Sequence, residues 1–166
     1  MKRLSLHSLI LASMDHSSVL LGSMIVASLM IPSPTWSATN ILNVELAQNI
    51  IDREPALPSN PSAHCEKDKN HDSALPRIHT SDQQVVFWNR VAATDSTVIR
   101  HSWLRMSDEG WKPMAQVDLQ IQKSSAFRIW SKKDLRPTFH RGEWMIVVSM
   151  AHDPKEVLCI SRFIVE

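Results

Sequence analysis

Residues 114–122 read MAQVDLQIQ, and their strict alternation decides the fold class. Val117, Leu119 and Ile121 fall on one side of an extended chain, with Gln116, Asp118, Gln120 and Gln122 on the other. A period of two marks a strand with one face on a core and one face in water. Similar segments flank it on both sides. Upstream, QVVFWNRV (84–91) is β-branched and aromatic, and STVIRHSWLR (96–105) runs into MSDEGW (106–111), a turn with Gly110 near its end. Downstream come FRIWSK (127–132), EWMIVVSM (143–150), the turn AHDPKE (151–156) and VLCISRFIV (157–165). Further upstream, Leu42, Val44 and Leu46 repeat the period of two until Pro55 ends the segment, so a first strand stops near Arg53.

Short strands at this spacing, with turn residues between them and no 3.6-residue period, predict an all-β domain. The specific expectation is an immunoglobulin-like β-sandwich of about seven strands, with a small open barrel as the alternative. Residues 39–55 form the first strand and 84–166 the sandwich core. Between them, residues 56–83 hold Pro58, Pro61 and Pro76, four serines and three histidines without periodicity. This stretch reads as a flexible, irregular connector after the first strand.

The N-terminus has the features of an export signal. Lys2 and Arg3 precede an apolar run from Val19 to Ile31, and small residues follow at Ser37 and Ala38. That 13-residue run is shorter than the roughly 18 residues that a membrane span needs, so residues 1–38 are expected to be a signal peptide, with a membrane-anchoring segment as the alternative. The expected location is periplasmic or elsewhere in the cell envelope, with membrane contact only through this segment if it is uncleaved. Net charge is +1, and removing residues 1–38 leaves 16 cations against 16 anions, so no global field attracts nucleic acid.

Four motifs stand in order along the chain: Arg53-Glu54-Pro55, His101-Ser102-Trp103, Arg128-Ile129-Trp130-Ser131-Lys132 and Gly142-Glu143-Trp144. In this order they resemble the domain-of-unknown-function 2914 family, small bacterial domains that are exported or membrane-attached. The resemblance runs from about Val44 to Val165. The chain departs from the family pattern in a longer connector after Pro55 and a single serine before Lys132-Lys133. The resemblance implies no reaction and no catalytic residues.

The residues themselves suggest a binding surface. Alternation puts Arg128, Trp130 and Lys132 on one strand face and Phe127, Ile129 and Ser131 on the other; arginine stacked on tryptophan is one expected contact. Cationic forks beside an aromatic platform suit anions or sugar rings. The candidate binding residues are Arg53, Glu54, Arg100, His101, Trp103, Arg128, Trp130, Ser131, Lys132 and Trp144. His101, between Ile99 and Trp103, reads first as a structural histidine and secondly as a ligand contact. Glu54 reads as part of an ion pair at the strand exit, or as a partner of Arg100 or Arg128 beside a cleft.

Three functions fit these residues. The first is a non-enzymatic module that binds an envelope glycan or a partner protein. The second is a hydrolase or lyase using His101 with Glu54, and the third an assembly module that pairs through a sheet edge. His64, Cys65, His71 and His79 match no zinc spacing, so neither metal nor cofactor is expected. Cys65 and Cys159 are the only cysteines, and export would permit them to bond; the sequence leaves that pairing open.

Overall fold

The computed structural model describes residues 38–56, 59–60, 63–66 and 74–166. The predicted signal segment, residues 1–38, lies outside the described residues apart from Ala38. Two sheets, antiparallel except where β5 joins β11, face each other. One holds β4 (Ser59–Asn60), β1 (Thr39–Ala47), β6 (Gln84–Ala93) and β9 (Ser124–Asp134), in that order. The other holds β5 (Arg77–Ile78), β11 (Val157–Val165), β10 (Gly142–Met150), β7 (Thr97–Ser107) and β8 (Gly110–Ile121). A separate hairpin pairs β2 (Ile50–Ile51) with β3 (Glu54–Pro55).

The expected all-β sandwich is thus what forms. Its seven long strands, lettered a to g in chain order, group as a-b-e and g-f-c-d. This is an immunoglobulin-like arrangement in which the fourth strand pairs with the third rather than with the fifth. Local turn chemistry favours that choice. Ser107 pairs with Gly110 across a turn made by Asp108 and Glu109, and Gly110 takes φ 101°, a conformation that suits glycine. Strand d therefore folds straight back on strand c. Only Gln122 and Lys123 then separate it from β9 in the other sheet.

The alternations in the sequence become the two faces of each sheet. Ile99, His101 and Trp103 point inward, as do Trp144, Ile146 and Val148 on β10 and Ile129 and Ser131 on β9. β6 departs from simple alternation, because Val85 to Asn89 are all buried. One face of β6 lies on the core, and the β2–β3 hairpin covers the other. β1 departs in the opposite sense. A bulge between Ile41 and Asn43 turns Leu42 out of the expected inward row and leaves it 52% exposed.

Parts of the irregular connector carry long-range contacts. Ser59 and Asn60 pair with the end of β1, and further along the connector is held at the edge of β11. Cys65 bonds to Cys159, 94 residues away, and the Glu66 N–H donates to the Ile160 carbonyl at 2.7 Å. Both Glu66 carboxylate oxygens lie 3.1 Å from Arg162 Nε. Arg77 and Ile78 add a short parallel strand to β11, and Ile78 is buried. These contacts come from single residues reaching a distant strand, so they leave no local periodicity. Among the described residues no helix is long and apolar enough to cross a membrane.

The disulfide closes a loop that comprises most of the sandwich, which restricts the unfolded chain. Replacing Cys65 and Cys159 together by alanine is expected to lower unfolding free energy by about 2–4 kcal/mol in chemical denaturation. An unchanged midpoint would remove this bond from the account of stability.

Candidate functional site

The ten predicted residues separate into three places. Four of them, His101, Trp103, Ser131 and Trp144, are interior residues rather than surface ones. Ser131 reaches from β9 across the core to β7, where its Oγ accepts the Trp103 indole N–H at 3.0 Å and lies 2.8 Å from His101 Nδ1. A hydroxyl can serve both neighbours because it is donor and acceptor at once. Phe87 packs edge-on against the imidazole at 5.3 Å. Trp144 lies stacked on Phe163 and donates its indole N–H to the His140 carbonyl at 2.7 Å.

Arg100 lies elsewhere again, on the outer face of the five-stranded sheet. It grips Asp118 on the neighbouring strand through two contacts of 2.7 and 2.9 Å. That guanidinium holds the Asp118 carboxyl below its usual range. Arg100 is therefore separated from Arg128 by the thickness of the sandwich, and of the two partners expected for Glu54 it is not the one engaged.

The remaining five, Arg53, Glu54, Arg128, Trp130 and Lys132, belong to the outer face of the four-stranded sheet. They gather there because the β2–β3 hairpin folds over that face. Its two turn residues, Asp52 and Arg53, have φ values of 51° and 67°, the backbone signature of a tight two-residue hairpin turn. The Arg53 carbonyl accepts the Trp88 indole N–H at 3.0 Å, which ties the turn to β6. Arg53 also lies over the Phe127 ring at 5.9 Å. Next to it, Glu54 meets Arg128 Nε at 2.6 Å and Arg90 at 3.9 Å. Arg90 and Arg128 are direct cross-strand partners, so without Glu54 two cations would oppose each other on one face.

The expected stacking of Arg128 on Trp130 is replaced by this ion pair; among the described residues the cation–π contacts are Arg90 over Trp88 and Arg53 over Phe127. Arg128 is drawn to Glu54 because a carboxylate within reach outcompetes a ring face that attracts a cation only weakly. Trp130 is left half-buried on the floor of a groove of about 460 Å³, walled by Asn49, Ile50 and Arg53 on the hairpin and by Lys132 on β9. This groove is the candidate site. Trp88, Arg90 and Phe127, which hold the hairpin down, escaped the sequence reading. Trp88 and Arg90 do share one face of QVVFWNRV, a signal that alternation alone could have supplied.

The geometry does not assemble a His101–Glu54 catalytic pair. His101 is 0% exposed between the sheets, and burial pushes its pKa down to about 3, whereas Glu54 sits outside with its arginines. Among the described residues, no group of three or more His, Cys, Asp or Glu side chains is placed to hold a metal ion.

Two outcomes follow from these contacts. The unfolded chain protonates His101 below about pH 6.5, and the folded chain resists doing so down to about pH 3. The His101 contribution is therefore intact above pH 6.5 and is lost as pH falls through that window, by up to about 1.4 kcal/mol per unit. His140, also depressed by burial, acts in the same direction. Denaturation between pH 7 and 4 is expected to show a shallower slope in His101→Gln; an unchanged slope refutes the assignment. Separately, Glu54→Gln is expected to cost about 1 kcal/mol at low salt, a small value because the pair is partly exposed. That loss should shrink in 1 M NaCl, where the screening length is about 3 Å. A salt-independent loss would mean that charge is not the cause.

No curated protein matches this chain. Among solved structures it is similar to a β-glucosidase from Listeria innocua. The D270A mutant in complex with laminaribiose aligns at 11% identity with a TM-score of 0.41, over 57% of this chain and 15% of that one. The same enzyme in complex with glucose aligns at 12% identity and 0.40, over 56% and 15%. The chain thus spans about 15% of the length of these enzymes. A family model matches residues 96–163, which hold the His101, Arg128 and Gly142 motifs, while Arg53-Glu54-Pro55 precedes the match. Over residues 96–163 the chain is similar to the family described as Protein of unknown function (DUF2914).

Proposed function

We propose that this protein is a non-enzymatic binding module of the cell envelope that engages an envelope glycan, or a partner protein carrying similar groups, through the groove at Trp130. The carrying observation is the half-buried Trp130 ring on the floor of a groove flanked by the Arg53 and Lys132 cations. An indole face suits the apolar face of a sugar ring, and flanking cations suit the carboxylates of acidic glycans. Groove size falls within the range of small-molecule sites. The Cys65–Cys159 bond supports export, since such bonds persist in oxidising compartments.

The assembly reading has one favouring observation, the 12-residue end strand β8. That strand carries Pro113, Lys112 and a bulge opposite Trp103 and Leu104, features that discourage edge pairing. The groove therefore remains the better-supported site.

Muropeptides and acidic oligosaccharides titrated into the full chain are expected to perturb Trp130 fluorescence and to bind at least about tenfold more weakly to Trp130→Ala and Lys132→Gln. If every ligand that binds does so equally well to both variants, the groove is not the site.

A further inference from the structure

A second recess opens on another side of the sandwich, where β8 and β9, the end strands of the two sheets, approach each other. Loop 135–141 closes it to a volume of about 580 Å³. Four cations line it: Arg105 from β7, Lys132 and Lys133 from β9, and Arg136 from the loop. Asp134 is the one carboxylate among the lining residues.

Four cations without an ion pair converge in this recess, whereas the other described Lys and Arg side chains without one, Arg53, Lys123, Arg141 and Lys155, lie outside its lining. Arg77, Arg100, Arg128 and Arg162 each have a carboxylate in ion-pair contact. None of the four cations of the recess has one among the described residues. Arg105 is also fixed in place. Its Nη1 donates to the Phe139 carbonyl at 2.5 Å, and its Nε is buried without a hydrogen-bond partner. His140 senses the accumulated charge: burial lowers its pKa most, and Lys133, Arg105 and Arg136 lower it further.

The recess also has an apolar lip. The bulge on β8 inserts Met114 between Ala115 and Pro113 and leaves it partly exposed, while Phe139 is 64% exposed on the loop. Exposed aromatic surface beside unneutralised cations suits an anion carried on an apolar or ring body. A single carboxylate would leave most of this charge unmatched. A phosphate ester supplies up to two charges and several acceptor oxygens, which guanidinium forks and ammonium groups can share.

We propose that this recess binds the phosphate group of an organic phosphate ester, held by Arg105, Lys133 and Arg136, with its organic body against Phe139 and Met114. The site shares only Lys132 with the Trp130 groove, so variants that leave Lys132 intact separate the two.

The test titrates phenyl phosphate, with benzoate and phenyl glucoside as controls, into the full chain at 150 mM NaCl by calorimetry. Phenyl phosphate is expected to bind more tightly than benzoate. The Lys133→Gln/Arg136→Gln double variant, which changes no core residue, should weaken it at least about tenfold, while Lys155→Gln, on a distant turn, leaves it unchanged. Equal affinity for phenyl phosphate and benzoate, or unchanged binding by the double variant, overturns the proposal. Vesicles containing phosphatidylglycerol identify the source of the phosphate. Sedimentation that phenyl phosphate competes away indicates a lipid headgroup, and phenyl phosphate binding without sedimentation indicates a soluble ester.

Discussion

The Ser131 hydroxyl stands between the two sheets and makes their facing arrangement specific. Apolar burial alone would hold a sandwich together, but it is non-directional and tolerates sliding. A tryptophan N–H and an imidazole nitrogen that must share one hydroxyl do not tolerate it. Moving Ser131 away from Trp103 and His101 leaves buried polar groups unpaired, at a cost of about 1–3 kcal/mol each. β7 and β9, in different sheets, are thereby held in fixed relative positions.

Two further buried tryptophans extend that constraint outward. Trp88 donates its N–H to the Arg53 carbonyl and so fixes the hairpin that walls the groove. Trp144 donates to the His140 carbonyl and so fixes the loop that closes the cationic recess. Each indole packs its ring in an apolar setting and places its one donor on a non-helical, non-sheet carbonyl. The periphery is therefore positioned from the interior, and both recesses have walls anchored to the core.

The family match covers interior and surface residues alike. The match over 96–163 includes His101, Trp103, Ser131 and Trp144, all of them interior. These four pack and hydrogen-bond inside the sandwich. The groove, by contrast, combines Trp130 and Lys132 with the hairpin from outside the match. The hairpin that walls the groove lies outside the matched segment, and the loop that closes the cationic recess lies inside it.

The strands were legible in the sequence because a half-buried strand must alternate, and alternation survives without knowledge of any neighbour. From it came the all-β class, the inward rows at Ile99–Trp103 and Ile129–Ser131, and the outward row at Arg128, Trp130 and Lys132. Which rows face each other is a property of strands far apart in the chain. So is the choice of partner for a long cation: Arg128 took Glu54 over Trp130, and Arg100 took Asp118 on the opposite face. The same holds for the connector, where a disulfide and one edge strand impose order on residues without local periodicity. Sequence by itself determined the period and polarity of each strand, because those depend on the chain's own pleat. Only the tertiary structure decided which polar groups meet, because hydrogen bonds and ion pairs require a few ångströms of proximity that no local pattern encodes.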